Sequence, residues 1–133
     1  MSKWAMMSDF SIDLPDRPGE LARLASMLRQ ADVNLVGLWG YGAGKDKARF
    51  YCVPERAEQF RNFARSAGLA VTEGKTFYFT GTDRPGALVE WLEKIAASGV
   101  NLLAIEAIGI HSEVGCFIWV EPKDFDTVAG LLV

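Results

Sequence analysis

A tetrapeptide that occurs twice constrains the fold of this chain more than any other feature. Asp-Arg-Pro-Gly stands at residues 16–19 and again at residues 83–86, which is 67 positions later. At this shift, residues 16–53 match residues 83–120 without a gap at 11 of 38 positions. Composition alone gives about two such matches. The chain therefore contains an internal duplication.

The duplication divides a chain of 133 residues into two predicted units, residues 1–74 and residues 75–133. Units of about 60 to 70 residues bury only about 60 % of the surface of their unfolded chain. Each unit is therefore expected to share a core or a sheet edge with the other unit or with another molecule.

The first unit alternates between the hydrophobic periods of strands and helices. Residues 10–14 alternate between apolar and polar side chains, as in a half-buried strand. Residues 33–41 and 48–53 predict two further strands, with a turn formed by Gly40, Gly42, Gly44 and Asp46, and residues 69–72 predict a short fourth strand. Helical spacing predicts two apolar stripes. Their members are Leu21, Leu24, Ala25 and Leu28 in one helix, and Ala57, Phe60, Ala64 and Ala67 in the other.

The second unit repeats this order, with strands at residues 77–80, 100–110 and 116–120 and a last helix near residues 124–131. It has no evident last strand, so residues 3–7 or a second molecule are candidates to cover the open sheet edge. The predicted fold class is α+β, with two tandem ferredoxin-like βαββαβ units. Each has an antiparallel sheet with both helices on one face.

Composition and charge exclude several classes of protein. The 14 basic and 17 acidic residues form no concentrated positive patch, which argues against nucleic-acid binding. The longest apolar window is too short for a bilayer, and residues 1–11 do not resemble a secretory signal. Cys52 and Cys116 lie in apolar strands and are predicted to be buried free thiols. We expect a cytoplasmic protein without membrane, metal or cofactor sites.

Aromatic residues on the predicted outer faces of the sheets indicate association between chains. Trp39 and Tyr41 share one face of the second strand, and Trp119 lies among apolar residues of a later strand. A sheet that is apolar on both faces usually meets another surface. The sequence therefore favours association through the sheets, either between the two repeats or in a homodimer.

The tetrapeptide is predicted to begin a helix in each copy. Asp16 stands where an N-cap residue would, and Pro18 suits the first helical turn because its missing N–H needs no partner there. Gly19 permits the close approach of another group. The structural alternative is that the motif only starts the helix and binds nothing.

The tetrapeptide after a first strand, with Val-Asn-Leu at the start of the second strand, resembles the ACT domain family. The resemblance covers nearly the whole chain as a tandem pair. It implies a regulatory module that binds a small effector, most often an amino acid, where ACT-like units pair. It also implies a separate protein partner that the module regulates.

The resemblance places candidate ligand-binding residues at the two repeated motifs, and their chemistry agrees. Free backbone N–H groups at a helix start suit a carboxylate, and an asparagine offers both a donor and an acceptor. In the first copy the candidates are Asp16, Arg17, Pro18, Gly19, Asn34 and Leu35. In the second copy they are Asp83, Arg84, Pro85, Gly86, Asn101 and Leu102.

Three functions are compatible with the sequence. The leading hypothesis is a non-enzymatic sensor that binds an amino acid or a similar small metabolite. The alternative is a protein-interaction module that dimerises and has no small-molecule ligand. A small hydrolase on the same fold, similar to an acylphosphatase, is disfavoured because that chemistry needs a turn that cradles a phosphate, which a turn with proline and aspartate does not offer. No catalytic residue is predicted.

Overall fold

The computed structural model describes residues 3–132, and it describes side chains from Trp4 onward. The strands are β1 (Lys3–Pro15), β2 (Leu35–Gly44), β3 (Lys47–Pro54), β4 (Thr72–Thr82), β5 (Leu102–Ile110) and β6 (Glu113–Val120). The helices are α1 (Glu20–Gln30), α2 (Ala57–Ser66), α3 (Val89–Ala97) and α4 (Phe125–Leu131), and a 3₁₀ turn at Pro122–Asp124 precedes α4. The chain is α+β, and the strand pairs with a defined register are antiparallel.

Contacts between residues divide the chain into two compact units. One unit is Ser8–Gly74, and the other combines residues 3–7 with residues 75–132. Both β1 and β4 contribute residues to each unit. The division into domains at residues 74 and 75 stays a prediction.

In the Ser8–Gly74 unit the strand order is β2-β3-β1-β4. Phe10 pairs with Cys52, and the register continues to Pro15 opposite Lys47. The predicted helix stripes are confirmed at their centres, because Leu24 and Leu28 of α1 and Phe60 and Ala64 of α2 are buried. The core of this unit consists of Phe10, Ile12, Leu14, Leu24, Leu28, Val33, Cys52, Phe60 and Ala64.

In the other unit the strand order is β5-β6-β4-β1. Residues 3–7 group with this unit and β1 neighbours β4, so these residues cover the edge of the sheet that the sequence left open. Trp4 packs on Phe79, with 4.9 Å between the ring centroids. The core consists of Phe77, Phe79, Ile95, Val114, Cys116, Ile118, Val120, Val128 and Leu132.

Two predicted boundaries are wrong. Residues 69–72 do not form a separate strand, because β4 begins at Thr72 and runs without interruption to Thr82. The turn between β2 and β3 is formed by Lys45 and Asp46, at φ 54° and 61°. The prediction is therefore confirmed at Asp46 and wrong at Gly40, Gly42 and Gly44, which lie in β2. Two consecutive residues with positive φ form the type I′ turn that suits the twist of a hairpin.

Both cysteines are buried free thiols, as predicted. Burial raises the pKa of the Cys52 thiol to about 12, and the nearby charge of Asp9 contributes to this shift. Burial raises the pKa of Cys116 to about 11. Thiols with such pKa values stay protonated and unreactive at neutral pH.

None of the helices within residues 3–132 has the length and apolar character needed to cross a membrane. The same residues contain no group of three or more His, Cys, Asp or Glu side chains that could hold a metal ion.

Candidate functional site

The repeated tetrapeptide forms a β-turn ahead of the helix. The N–H of Glu20 bonds to the carbonyl of Arg17 at 3.4 Å, and Gly19 has φ 90° and ψ −12°. A proline followed by a left-handed glycine is the pattern of a type II turn. In the second copy the N–H of Ala87 bonds to the carbonyl of Arg84 at 3.0 Å, and Gly86 has φ 76°.

This geometry corrects the predicted capping of α1. The N-cap residue is Gly19, and no side chain caps the helix. Asp16 is therefore not the N-cap, and Pro18 precedes the helix instead of lying in its first turn. A type II turn needs Pro and Gly at its two central positions, so the turn occupies the residues that the sequence pattern assigned to the helix start.

Each tetrapeptide aspartate is tied to the hairpin that follows it. The N–H of Asp16 bonds to the carbonyl of Asp46 at 2.8 Å, and the N–H of Asp83 bonds to that of Ser112 at 2.9 Å. Each carboxylate also lies against a glycine. A Cβ on Gly42 would be 3.4 Å from Asp16 Oδ2, and one on Gly109 would be 2.8 Å from Asp83 Oδ2. These contacts give the repeated Asp and Gly positions a structural role.

The first turn of α1 carries a charged cluster at the surface. Arg23 donates to Glu20 at 3.0 Å, and Arg17 donates to the other oxygen of that carboxylate at 3.1 Å. The hydrogen bond from Arg23 is the main cause of a lowered pKa for Glu20, and the bond from Arg17 adds to it. Arg17 therefore already has a partner within the chain.

A cavity of about 350 Å³ lies in the Ser8–Gly74 unit, between α1 and the start of β2. Its apolar lining consists of Leu21, Leu24, Ala25, Leu28, Val33, Leu35 and Leu38, and its polar lining consists of Arg29, Asp32 and Asn34. Leu21 and Ala25 belong to the predicted inward stripe of α1, but both are exposed because they face this cavity. Small-molecule sites commonly have an apolar lining with a few polar groups.

Two of the predicted site residues, Asn34 and Leu35, line this cavity, whereas the first tetrapeptide does not. The Asn34 side chain donates to Glu55 Oε2 at 2.8 Å, and the N–H of Glu55 donates to the carbonyl of Asn34 at 2.9 Å. This pair of bonds fixes the loop between α1 and β2. The second-copy counterparts, Asn101 and Leu102, lie in the other unit, where Leu102 packs against the core.

Arg29 and Asp32 are lining residues that sequence reasoning missed. Arg29 is in the last turn of α1, and Asp32 follows the C-cap residue Ala31 with φ 57°. The N–H of Val33 bonds to the carbonyl of Leu28 at 2.9 Å, and the N–H of Asp32 bonds to that of Arg29 at 3.0 Å. These are the two bonds of a Schellman motif. A comparison of the two copies could have identified both residues, because the second copy has Ala96 in place of Arg29 and Gly99 in place of Asp32.

The outer face of the β2–β3 hairpin carries stacked aromatic rings. Tyr51 lies between Trp39 and Tyr41, with ring centroids 5.9 Å and 6.3 Å away. Burial and the hydrogen bond with Tyr41 raise the pKa of Tyr51. Beside them, the Arg49 guanidinium donates to Asp13 at 2.8 Å. The predicted position of Trp39 and Tyr41 on one face is confirmed.

Solved structures with the same fold include regulatory proteins. The structure is similar to protein BT0572 from Bacteroides thetaiotaomicron, with a TM-score of 0.83 and 19 % identity over 97 % of this chain and 88 % of the other. It is also similar to the regulatory subunit of aspartate kinase from Thermus thermophilus, with a TM-score of 0.68 and 11 % identity over 98 % and 93 % of the two chains. For the regulatory subunit of aspartate kinase from Thermus flavus, the TM-score is 0.60 and the identity is 11 %, over 98 % of this chain and 94 % of the other.

No protein-family model matches the sequence, and no curated protein matches it. Because these identities are low, the likeness establishes the fold. The chain has the fold of the ACT-type regulatory domains of aspartate kinase, as its repeated sequence motifs indicate.

Proposed function

We propose that the protein is a non-enzymatic, cytoplasmic regulator that binds an amino acid or a similar small metabolite. The observation that carries this proposal is the cavity of about 350 Å³ beside α1. Its volume is near the lower end of the roughly 300–1,000 Å³ range of small-molecule sites, so it suits a ligand of amino-acid size. The fold shared with regulatory subunits of aspartate kinase supports the same conclusion.

The proposal includes a tandem βαββαβ organisation. The Ser8–Gly74 unit has its four strands in the order β2-β3-β1-β4, and residues 3–7 supply the edge strand of the other unit. In this arrangement each repeated motif has the same place in its unit. The tetrapeptide residues 16–19 and 83–86 remain candidate ligand contacts, since each turn precedes a helix whose first N–H groups have no intrahelical partner.

Regulation would follow from linkage between two binding events. A ligand in the cavity contacts both α1 and the loop that Asn34 and Glu55 fix, so it favours the conformation in which these segments are held together. A protein partner that prefers the same conformation then binds more tightly. Such coupling is typically about 1 to 3 kcal/mol.

Thermal unfolding of the full chain with each free amino acid tests the proposal. A ligand at 100 times its dissociation constant stabilises by about 2.7 kcal/mol, which raises Tm by about 8 °C for a chain of this size. A selective rise with one or a few amino acids is expected. If no amino acid or related metabolite raises Tm, and calorimetry detects no binding, the proposed function is wrong.

A second candidate function, a dimerisation module without a small ligand, is favoured by β5. This strand ends the sheet order of its unit, and four large apolar side chains on it are exposed. They are Leu103, Ile105, Ile108 and Ile110. An exposed apolar edge strand tends to pair with another chain. Sedimentation velocity of the wild type and of an Ile108→Lys variant tests this candidate, which requires a wild-type dimer that the variant weakens.

A further inference from the structure

The cavity beside α1 carries opposite charges on its lining. Arg29 supplies a guanidinium, and Asp32 supplies a carboxylate three residues later. Within residues 3–132, neither takes part in an ion pair. Both charged groups are therefore available to a ligand that itself carries both signs.

The loop holds Asp32 without using its carboxylate. Gln59 of α2 donates to the Asp32 backbone carbonyl at 3.1 Å, and the Asp32 N–H bonds to the carbonyl of Arg29 at 3.0 Å. Asp32 lies just beyond the C-terminus of α1, where the helix dipole favours a cation. An ammonium group beside Asp32 would therefore be stabilised both by the Asp32 carboxylate and by the dipole of α1.

Apart from Arg29, Asp32 and Asn34, the lining of the cavity is apolar. Leucine side chains from α1 and β2 surround it, and Ala25 leaves space between them. A charged side chain placed against these leucines would lose part of its water and gain no ion-pair partner, because Arg29 and Asp32, the charged lining residues, are then paired with the head group. An aliphatic side chain would bury apolar surface instead.

At the positions that match the cavity lining, the second copy of the repeat has no charged residue in place of Arg29 or Asp32 and has larger side chains in place of Leu24 and Ala25. Ala96 occupies the position of Arg29, and Gly99 occupies that of Asp32. Leu24 and Ala25 are replaced by the larger Trp91 and Leu92. The Trp91 ring packs against Trp4, with 5.9 Å between centroids, so it is part of the packing of its own unit. The charge pair and the small residue Ala25 therefore occur together in the first copy, whereas the second copy has neither at the matching positions.

From these observations we infer that the cavity selects an α-amino acid with an aliphatic side chain, one molecule per chain. Its carboxylate pairs with Arg29, its ammonium pairs with Asp32, and its side chain lies among the leucines. This inference rests on the proposed function, but it adds the ligand class, the two head-group contacts and the stoichiometry.

Titration calorimetry on the full chain tests the inference with defined probes. The probes are L-leucine, L-isoleucine and L-valine, with L-lysine and L-glutamate for comparison. Two further probes, 4-methylpentanoate and 3-methylbutylamine, each lack one head-group charge. We expect binding of at least one aliphatic amino acid with one site per chain. Losing one charge-assisted contact at an exposed site should weaken binding about tenfold.

Matched variants separate the head-group contacts from general effects of charge. Arg29→Gln and Asp32→Asn should each weaken binding about tenfold. Arg65→Gln, in the last turn of α2, and Asp46→Asn, at φ 61° in the hairpin turn, should leave it unchanged. Asp46 is a close control, because its φ is within a few degrees of the 57° of Asp32.

The outcomes distinguish this inference from the proposed function. Binding of lysine or glutamate in preference to the aliphatic amino acids overturns the inference and leaves the proposed function intact. Two sites per chain, or aliphatic binding that both Arg29→Gln and Asp32→Asn leave unchanged, also overturns only the inference. If no amino acid binds, the inference fails together with the proposed function.

Discussion

Asp32 and Gly99 occupy the same left-handed backbone position, one after α1 and the other after α3, with φ 57° and 79°. Glycine adopts this conformation freely, whereas an L-residue there costs roughly 1 to 2 kcal/mol. The first copy of the repeat thus keeps a strained aspartate beside the cavity at a position where the second copy has glycine. Strain at one site of a pair is consistent with a functional requirement for the carboxylate.

Replacing Asp32 with glycine should therefore stabilise the fold and weaken ligand binding. Relief of the strain outweighs the greater freedom of glycine in the unfolded chain, so a net gain of about 0.5 to 1 kcal/mol is expected. Gly99→Asp is the matched reversal and should destabilise by about 1 kcal/mol. Urea denaturation of both variants gives these values. A loss of stability in Asp32→Gly would show that the carboxylate supports the fold.

Filling the cavity should weaken ligand binding without unfolding the protein. Ala25→Leu introduces the residue that the second copy has at Leu92, and leucine is nearly as good a helix former as alanine. The added side chain should lower affinity for the amino acid by at least about tenfold, with a change in stability below about 0.5 kcal/mol. Ala22→Leu, at an exposed position of the same helix outside the cavity lining, is the control. Equal affinity in both variants would place the ligand elsewhere.

A methyl group at Gly40 should disrupt the β2–β3 hairpin. Gly40 pairs with Phe50 across the two strands, and a Cβ there would overlap the Phe50 ring. Gly40→Ala is expected to destabilise by about 1 to 3 kcal/mol, as overpacking does. In Gly42→Ala the new Cβ would be 3.4 Å from the movable Asp16 carboxylate, so the cost should be smaller. A double-mutant cycle with Phe50→Leu should recover part of the Gly40→Ala loss.

The buried thiol of Cys52 should lower stability at alkaline pH. Its pKa is about 12 in the folded chain and near the ordinary value of 9.0 when unfolded. As the pH rises above about 9, the unfolded thiol releases its proton while the folded one keeps it. The free energy of unfolding then falls by about 1.4 kcal/mol per pH unit for this group.

Urea denaturation of Cys52→Ala between pH 8 and pH 10.5 isolates this effect. The cavity that the substitution creates destabilises equally at all pH values, so only the slope of stability against pH reports the thiol. The slope above pH 9 should be shallower in Cys52→Ala than in the wild type. Cys116→Ala should show a similar change of slope in this range, because burial raises the pKa of Cys116 to about 11. Unchanged slopes would mean that neither thiol titrates differently in the folded chain.

The sequence predicts the parts of this fold that depend on local periodicity. The centres of the stripes of α1 and α2 and the alternation at Phe77 and Phe79 identify residues that are buried, because hydrophobic spacing follows directly from helix and strand geometry. Because the chain is duplicated, the order of strands and helices in the first unit also predicts the order in the second. Cys52 and Cys116 were likewise predicted correctly from their apolar strands.

The sequence-based predictions fail where the structure depends on pairing between distant strands or on unusual backbone angles. The predicted short strand at residues 69–72 is wrong because the strand in this region, β4, begins at Thr72 and its length depends on pairing with strands that are distant in the sequence. The turn between β2 and β3 is at Lys45 and Asp46, which adopt positive φ, so the composition of this segment identified Asp46 correctly but placed three nearby strand glycines in the turn as well. Arg29 and Asp32 belong to no motif, and they line a cavity only once α1 packs beside the start of β2.

The placement of residues 3–7 has a consequence for the order of events during synthesis. These residues are made before the whole Ser8–Gly74 unit, but they pack with residues 75–132, which are made after it. The Ser8–Gly74 unit can therefore fold during synthesis, whereas the other unit cannot fold until residues 75–132 have been synthesised. The waiting strand is an exposed edge in that interval, and contacts so far apart in sequence form slowly. For the same reason, residues 75–132 expressed alone would begin without the strand that closes their sheet.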